Sequence, residues 1–110
     1  MTWTDSVEFC NNKLGSHLIE IYNSSQQNFI KEKAKEDTNR NYWIGLTDEG
    51  ENEGVYRWAH SKKIATYFSW AQGRPIDDYN PERLLLYYSL DYKWIDTSNA
   101  HQYNPLCQLN

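Results

Sequence analysis

No stretch of this 110-residue sequence is apolar for long enough to span a bilayer, and a mean hydropathy of −0.90 argues against burial in one. An excess of positive charge is also missing. Acidic residues outnumber basic ones by 15 to 11, for a formal charge of −4, so the chain has no electrostatic reason to seek nucleic acid. The sequence contains no H-E-x-x-H, G-x-S-x-G or C-x-x-C and no phosphate-cradling glycine loop. Its three histidines, His17, His60 and His101, show no ligand spacing, so no catalytic role is assigned. Met1-Thr2-Trp3 has neither a charged n-region nor an apolar h-region. An extracellular protein needs a leader upstream, and the chain therefore reads as a fragment of a longer precursor.

Cysteine is scarce: there are two, Cys10 and Cys107, near opposite ends of the chain. They are either buried free thiols or a bridge closing almost the whole domain. In the second case chain-entropy reasoning assigns about 4–5 kcal/mol of stabilisation and points to an oxidising compartment. The single Asn-x-Ser sequon, Asn23-Ser24-Ser25, leans the same way, and a helix cap explains it equally well.

What the chain does have is aromatic residues, 15% of the total, with five tryptophans. At this length a single domain is expected. Its organising stretch is Tyr42-Trp43-Ile44-Gly45-Leu46, an apolar run between polar turns. It is too short for a buried helix and fits a central strand, with Gly45 where two backbones approach closely. Trp3, Trp58, Trp70 and Trp94 are expected to pack around it.

The pattern before this strand predicts two helices. The first starts at Thr4, presents Val7, Cys10 and Leu14 on one face and stops at Gly15. A strand over 17–22 follows, with His17 structural. The second helix begins near Ser24 or Ser25, with Ser24 and Gln27 at capping-box spacing. It runs toward Glu36, with Phe29, Ile30 and Ala34 inward and its alternating lysines and glutamates solvated. After the central strand, Val55-Tyr56-Arg57-Trp58, Leu84-Leu85-Leu86-Tyr87-Tyr88 and Tyr92-Lys93-Trp94-Ile95-Asp96 read as strands, and 105–109 as a last one carrying Cys107 back toward the first helix. Residues 59–81 lose regular periodicity, and a loop of that length in a small domain is expected to be functional.

This order resembles the C-type lectin-like domain. The matching pieces are Trp3-x6-Cys10, Leu14-Gly15-x2-Leu18, Tyr42-Trp43-Ile44-Gly45-Leu46-Thr47-Asp48, Trp58, Trp70-x2-Gly73-x-Pro75, Glu82, Trp94-x-Asp96 and Cys107. The resemblance covers nearly all of residues 1–110. It implies an α+β double-loop fold with two helices and two small antiparallel sheets, pinned by Cys10–Cys107 and lacking the N-terminal strand that precedes the first helix. The family's second disulfide falls on Leu84 and Asn99, where none can form, so residues 97–104 are expected to be comparatively mobile.

In sugar-binding members, a Glu-Pro-Asn or Gln-Pro-Asp tripeptide, a later Glu and a Trp-Asn-Asp supply oxygens to a Ca²⁺ that chelates sugar hydroxyls. The matching residues here are Arg74-Pro75-Ile76, Glu82 and Trp94-Ile95-Asp96. Only Glu82 and Asp96 keep a ligand oxygen, and Ca²⁺ wants roughly six to eight, so no metal and no other cofactor is expected. A guanidinium about 4 Å from a carboxylate gains about 4 kcal/mol of Coulomb energy at a surface-like dielectric, before desolvation. Arg74 is accordingly expected to stand in for the metal, holding Glu82 or Asp96 and offering donors to a sugar hydroxyl or acetamido oxygen. The loop is similar to that of some bivalve lectins, in which a basic residue opens the tripeptide and N-acetylated sugars bind without calcium. Those carry an acid at the third position, whereas this chain has Ile76 there and its acids at Asp77 and Asp78.

The family's auxiliary calcium acids match Asp48, Glu53, Asp77 and Glu82, but Arg83 occupies the fifth place. The set reads as an acidic solvated turn, with Arg74 and Arg83 both opposing a cation. Tyr92 is the aromatic expected to stack on a sugar, ahead of Tyr79 and of Trp94, which is more often core. The resulting expectation is a secreted, non-catalytic module that binds a glycan or glycoprotein, with an N-acetylated sugar in view, without calcium, through Arg74, Asp77, Glu82, Tyr92 and Asp96. The alternative is a lectin-like domain that binds protein or another surface and has lost sugar recognition.

Overall fold

Hydrogen-bonding side chains fix both helix starts in the computed structural model, which describes every residue except 14, 38 and 53. Helix α1, Trp3–Asn11, is capped by Thr2, whose hydroxyl accepts the Asp5 N–H at 3.2 Å. The cap therefore lies two residues before the expected Thr4. Trp3, Ser6 and Cys10 form the buried face of α1; Leu14, assigned to that face, lies outside the described residues. Helix α2, Ser24–Ala34, is capped by Asn23, not Ser24, with the Asn23 Oδ1 accepting the Gln26 N–H at 2.9 Å.

Gln27, Ile30 and Ala34 define the inward face of α2 at helical spacing. Phe29 corrects the sequence expectation. It falls off that stripe and is 64% exposed, with the Lys33 ammonium over its ring.

Strand β1 is Ser16–Leu18 and β2 is Tyr42–Thr47; then come β3, Arg57–Trp58, β4, Arg83–Tyr87, β5, Lys93–Thr97, β6, Asn104–Pro105, and β7, Cys107–Leu109. One sheet pairs β1 with β7 antiparallel, and the other runs β3-β2-β4-β5. This is an α+β fold with two helices and two sheets. The larger sheet departs from the expectation of small antiparallel sheets in one respect, because β6 joins it parallel to β2 beside Tyr42 and Trp43.

Both faces of the larger sheet are covered, which is why its central strands read as continuous apolar runs. On one face Tyr42, Ile44 and Leu46 pack with Leu84, Leu86 and Trp94. On the other, Trp43, Leu85 and Ile95 pack with Trp3. Each of three buried indoles finds an acceptor: Trp3 donates to the Ile44 carbonyl, Trp43 to the Met1 carbonyl and Trp94 to Gln27. A Cβ at Gly45 would stand 3.0 Å from the Leu18 carbonyl oxygen, so the close backbone approach is real, and the Gly45 N–H donates to Ile19 across it at 2.8 Å.

Cys10 and Cys107 are joined by a disulfide, which ties α1 to β7. At the place of the family's second bridge, Leu84 is fully buried, and the Asn99 side chain accepts from the Thr4 N–H and hydroxyl. The β4–β5 register sets Leu84 opposite Asp96, so Glu82, just before β4, comes beside Asp96 near the end of β5.

Candidate functional site

The long loop is tied to β5 before it reaches the site. The Ala71 N–H donates to the Trp94 carbonyl at 2.9 Å, and the Arg74 N–H donates back to Ala71 at 3.1 Å. Gly73 makes the turn at φ +81°, and Asp77 takes the left-handed region at φ +56°, a conformation Asp tolerates because its short side chain bonds locally. These turns direct Arg74, Ile76 and Asp77 at one carboxylate.

That carboxylate is Asp96, which is fully buried. Its Oδ1 accepts from Arg74 Nη1 at 3.1 Å, and its Oδ2 accepts from the N–H groups of Ile76 at 3.0 Å and Asp77 at 2.9 Å. Arg74 Nη1 also donates to the Asp96 backbone carbonyl at 2.8 Å. Burial works against ionisation, but the Asp77 and Ile76 amides, Glu82 and Arg74 outweigh it and hold the Asp96 carboxyl below its ordinary range.

Glu82 is 1% exposed and behaves in the opposite way. Its Oε1 accepts one amide, from Tyr79 at 2.8 Å, while Oε2 is buried with no hydrogen-bond partner among the described residues. Burial, then the neighbouring Asp96 and Asp48, push Glu82 up to about 8. The unpartnered oxygen and the raised value point the same way: with Asp96 and Asp48 close by and one amide donor, the charged form of Glu82 is disfavoured. Tyr56 completes the cluster by donating its phenol to Asp77 Oδ1 at 3.0 Å, and burial together with that bond pushes the phenol up.

Arg74, Asp77, Glu82 and Asp96 are thus brought together, and carboxylate oxygens of Asp77, Glu82 and Asp96 lie within 4.8 Å of one another. Tyr92 is not with them. It is 4% exposed, its phenol donates to the Ala34 carbonyl, and its own carbonyl accepts from Gln27. It is a core residue under α2, which corrects the expectation that it stacks on a sugar. Trp94 is also fully buried, while Tyr79 remains half-buried at the rim.

Arg83 corrects a second expectation. Its guanidinium lies over the Trp3 ring at 4.2 Å and donates to Thr47 and Glu49, so it is engaged on the Trp3 side of the sheet and not with Asp48, Asp77 or Glu82. Two contributors were not legible beforehand: Tyr56, and the backbone amides of Ile76 and Asp77. Amide direction depends on loop conformation, which residue types do not encode one by one.

Beside the cluster lies a polar cleft of about 350 Å³ bordered by Asp48, Glu51, Asp77, Tyr79, Asn80 and Glu82. Asp48 Oδ1 accepts the Glu82 N–H at 2.7 Å. Glu53, the remaining acid of the expected auxiliary set, lies outside the described residues.

The Lectin C-type domain family matches residues 1–109. The chain belongs to the C-type lectin domain family. It is 34% identical over 76 residues to the hepatic lectin of Gallus gallus, an alignment spanning 68% of this chain and 34% of that relative. The C-type lectin CEL-I of Cucumaria echinata superposes on all of this chain and 84% of its own, with a TM-score of 0.84 and 26% identity. The cow C-type carbohydrate-recognition domain of CD23, solved in the presence of a GlcNAc2Man3 oligosaccharide, superposes on all of this chain and 81% of its own, with a TM-score of 0.78 and 25% identity.

Against the calcium ion of this family's sugar sites, the donor set does not fit. Arg74, Ile76 and Ile95 bring no side-chain oxygen, the Arg74 guanidinium stands beside the acids, and Asp96 is occupied by N–H donors. An oxygen shell of roughly six to eight ligands does not assemble from these residues.

Proposed function

We propose that this domain recognises carbohydrate without calcium, as an extracellular and non-catalytic module, through Arg74 held in place by Asp96. The observation that carries the reading is the saturation of Asp96 by one guanidinium and two amide N–H groups. Arg74 places a positive charge beside Asp96, where related sites hold a dication. Family membership supports a sugar ligand, and the Cys10–Cys107 disulfide supports passage through an oxidising compartment.

Among the described residues Arg74 bonds only through Nη1, so Nε and Nη2 remain for a ligand, and its side chain keeps 25% exposure. A guanidinium edge suits carbonyl and hydroxyl oxygens. Ile76 is 40% exposed beside it, an apolar surface against which the methyl of an acetamido group fits. Asp77 and Asp78 add acceptors for hydroxyl donors and disfavour anionic sugars. The ligand class that meets these demands is a neutral N-acetylated sugar.

A glycan array run in EDTA tests this. Binding to N-acetylated glycans that survives chelation and is lost in Arg74→Ala is expected. A signal that EDTA abolishes contradicts the reading, and a blank array transfers the function to a protein or surface partner.

A further inference from the structure

The helix cap at Asn23 is also the only place in the sequence where Asn is followed two residues later by Ser or Thr, in Asn23-Ser24-Ser25. The cap and the sequon use different atoms. The Asn23 Oδ1 accepts the Gln26 N–H at 2.9 Å, whereas Nδ2, the atom that carries an N-linked sugar, makes no hydrogen bond among the described residues. Asn23, Ser24 and Ser25 are all exposed. Asn23 has extended backbone, φ −158° and ψ 170°, and follows the non-helical, non-strand connection 19–22. A large substituent on Nδ2 therefore projects into solvent and leaves the cap carbonyl in place.

The second requirement is the compartment, and the disulfide between Cys10 and Cys107 is the kind of bond that forms along the secretory route. We infer that Asn23 is an N-glycosylation site, carrying one oligosaccharide at the start of α2. This goes beyond the sugar-binding reading and rests on its extracellular part alone. The donor class is a polyisoprenyl-pyrophosphate-linked oligosaccharide. A bond forms between Asn23 Nδ2 and the anomeric carbon as the bond from that carbon to the pyrophosphate oxygen breaks. The lipid pyrophosphate leaves, Nδ2 gives up one proton, and nothing is oxidised or reduced.

The test is expression in animal cells behind a cleavable secretion leader, with the glycopeptide read by mass spectrometry in the pooled secreted and cell-associated protein. Pooling separates glycosylation from any failure of export or of sugar binding. The expected result is one glycan removed by peptide-N-glycosidase, with Asn23 converted to Asp at the released site. Ser25→Ala and Asn23→Asp abolish it completely, and Ser24→Ala retains it. Asn23→Asp keeps an oxygen for the Gln26 N–H, so an unchanged melting curve against the enzymatically deglycosylated protein shows that the fold survives loss of the sequon. Wild-type protein lacking a glycan, or carrying one that persists in Asn23→Asp, overturns the inference.

Discussion

Two glutamates in this domain are equally hidden and meet opposite fates. Glu20, 2% exposed, accepts the N–H groups of His60 and Ser61 on one oxygen, each at 3.0 Å, and the Tyr22 hydroxyl on the other. Burial alone raises its value, but Tyr22, Ser61 and His60 more than reverse this, and Glu20 is held below the ordinary glutamate range. Glu82 has one amide and an acidic neighbourhood, and it is pushed up to about 8. Burial depth does not decide ionisation here; the number of N–H and O–H donors aimed at the carboxylate does. Among the described acids of the candidate site, Asp96 receives a guanidinium and two amide donors and is held down, whereas Glu82 receives one amide and is pushed up.

The comparison breaks most visibly at Asp96. Asp96→Ala strands the Arg74 guanidinium and two amides, and breaking a buried pair of this kind costs about 3–5 kcal/mol, to be read as a drop in denaturation midpoint. Glu20→Gln follows, because hydrogen bonds to a charged group contribute about 1.5–3 kcal/mol and an amide presents a misplaced donor to His60 or Ser61. Urea denaturation at neutral pH checks that loss.

A pH series sharpens the contrast by sign. Glu82 binds its proton more tightly folded than unfolded, so its contribution is complete below its unfolded value of 4.5 and disappears as pH rises through about 8. The slope reaches at most about 1.4 kcal/mol per pH unit. Glu20 and Asp96 run the other way: their contributions are present above their unfolded values and are lost as pH falls through the depressed folded ones. Glu82→Gln mimics the neutral acid, so it matches wild type near pH 4.5 and becomes the more stable protein as pH rises. Equal destabilisation of Glu82→Gln and Glu20→Gln at pH 7 contradicts the assignment. The smallest effect belongs to Tyr22→Phe, which removes one donor from Glu20; Tyr22 is 41% exposed, so water replaces part of that bond and the cost falls to about 1 kcal/mol in the same denaturation assay.

The scaffold was largely legible in the residues. The apolar runs around Trp43 and Leu85 encode two-sided burial, Gly45 marks a backbone contact that no side chain fits, and the spaced Trp, Gly and Cys positions carry the family pattern. The second helix starts at Ser24 as expected, but both capping residues differ from the expected ones by one or two positions, because Thr2 and Thr4, or Asn23 and Ser24, have the same capping chemistry and only chain geometry chooses between them. Phe29 and Tyr92 exchanged expectations for a related reason: aromatic character says that a ring favours burial, not which ring the packing has room for. Within the site, the meeting of Arg74 with Asp96 followed from charge and position. The upward shift of Glu82 did not, since it depends on which amides the 74–82 loop turns inward.

The central claim is that Arg74, held by Asp96, stands where related lectins use a metal. Thermal unfolding of the wild-type domain in millimolar calcium and again in EDTA tests it most directly, because any ion bound only by the folded state must raise the melting temperature. The account predicts superimposable curves at pH 7. A calcium-dependent rise that is lost in Glu82→Gln or Asp96→Asn would contradict it.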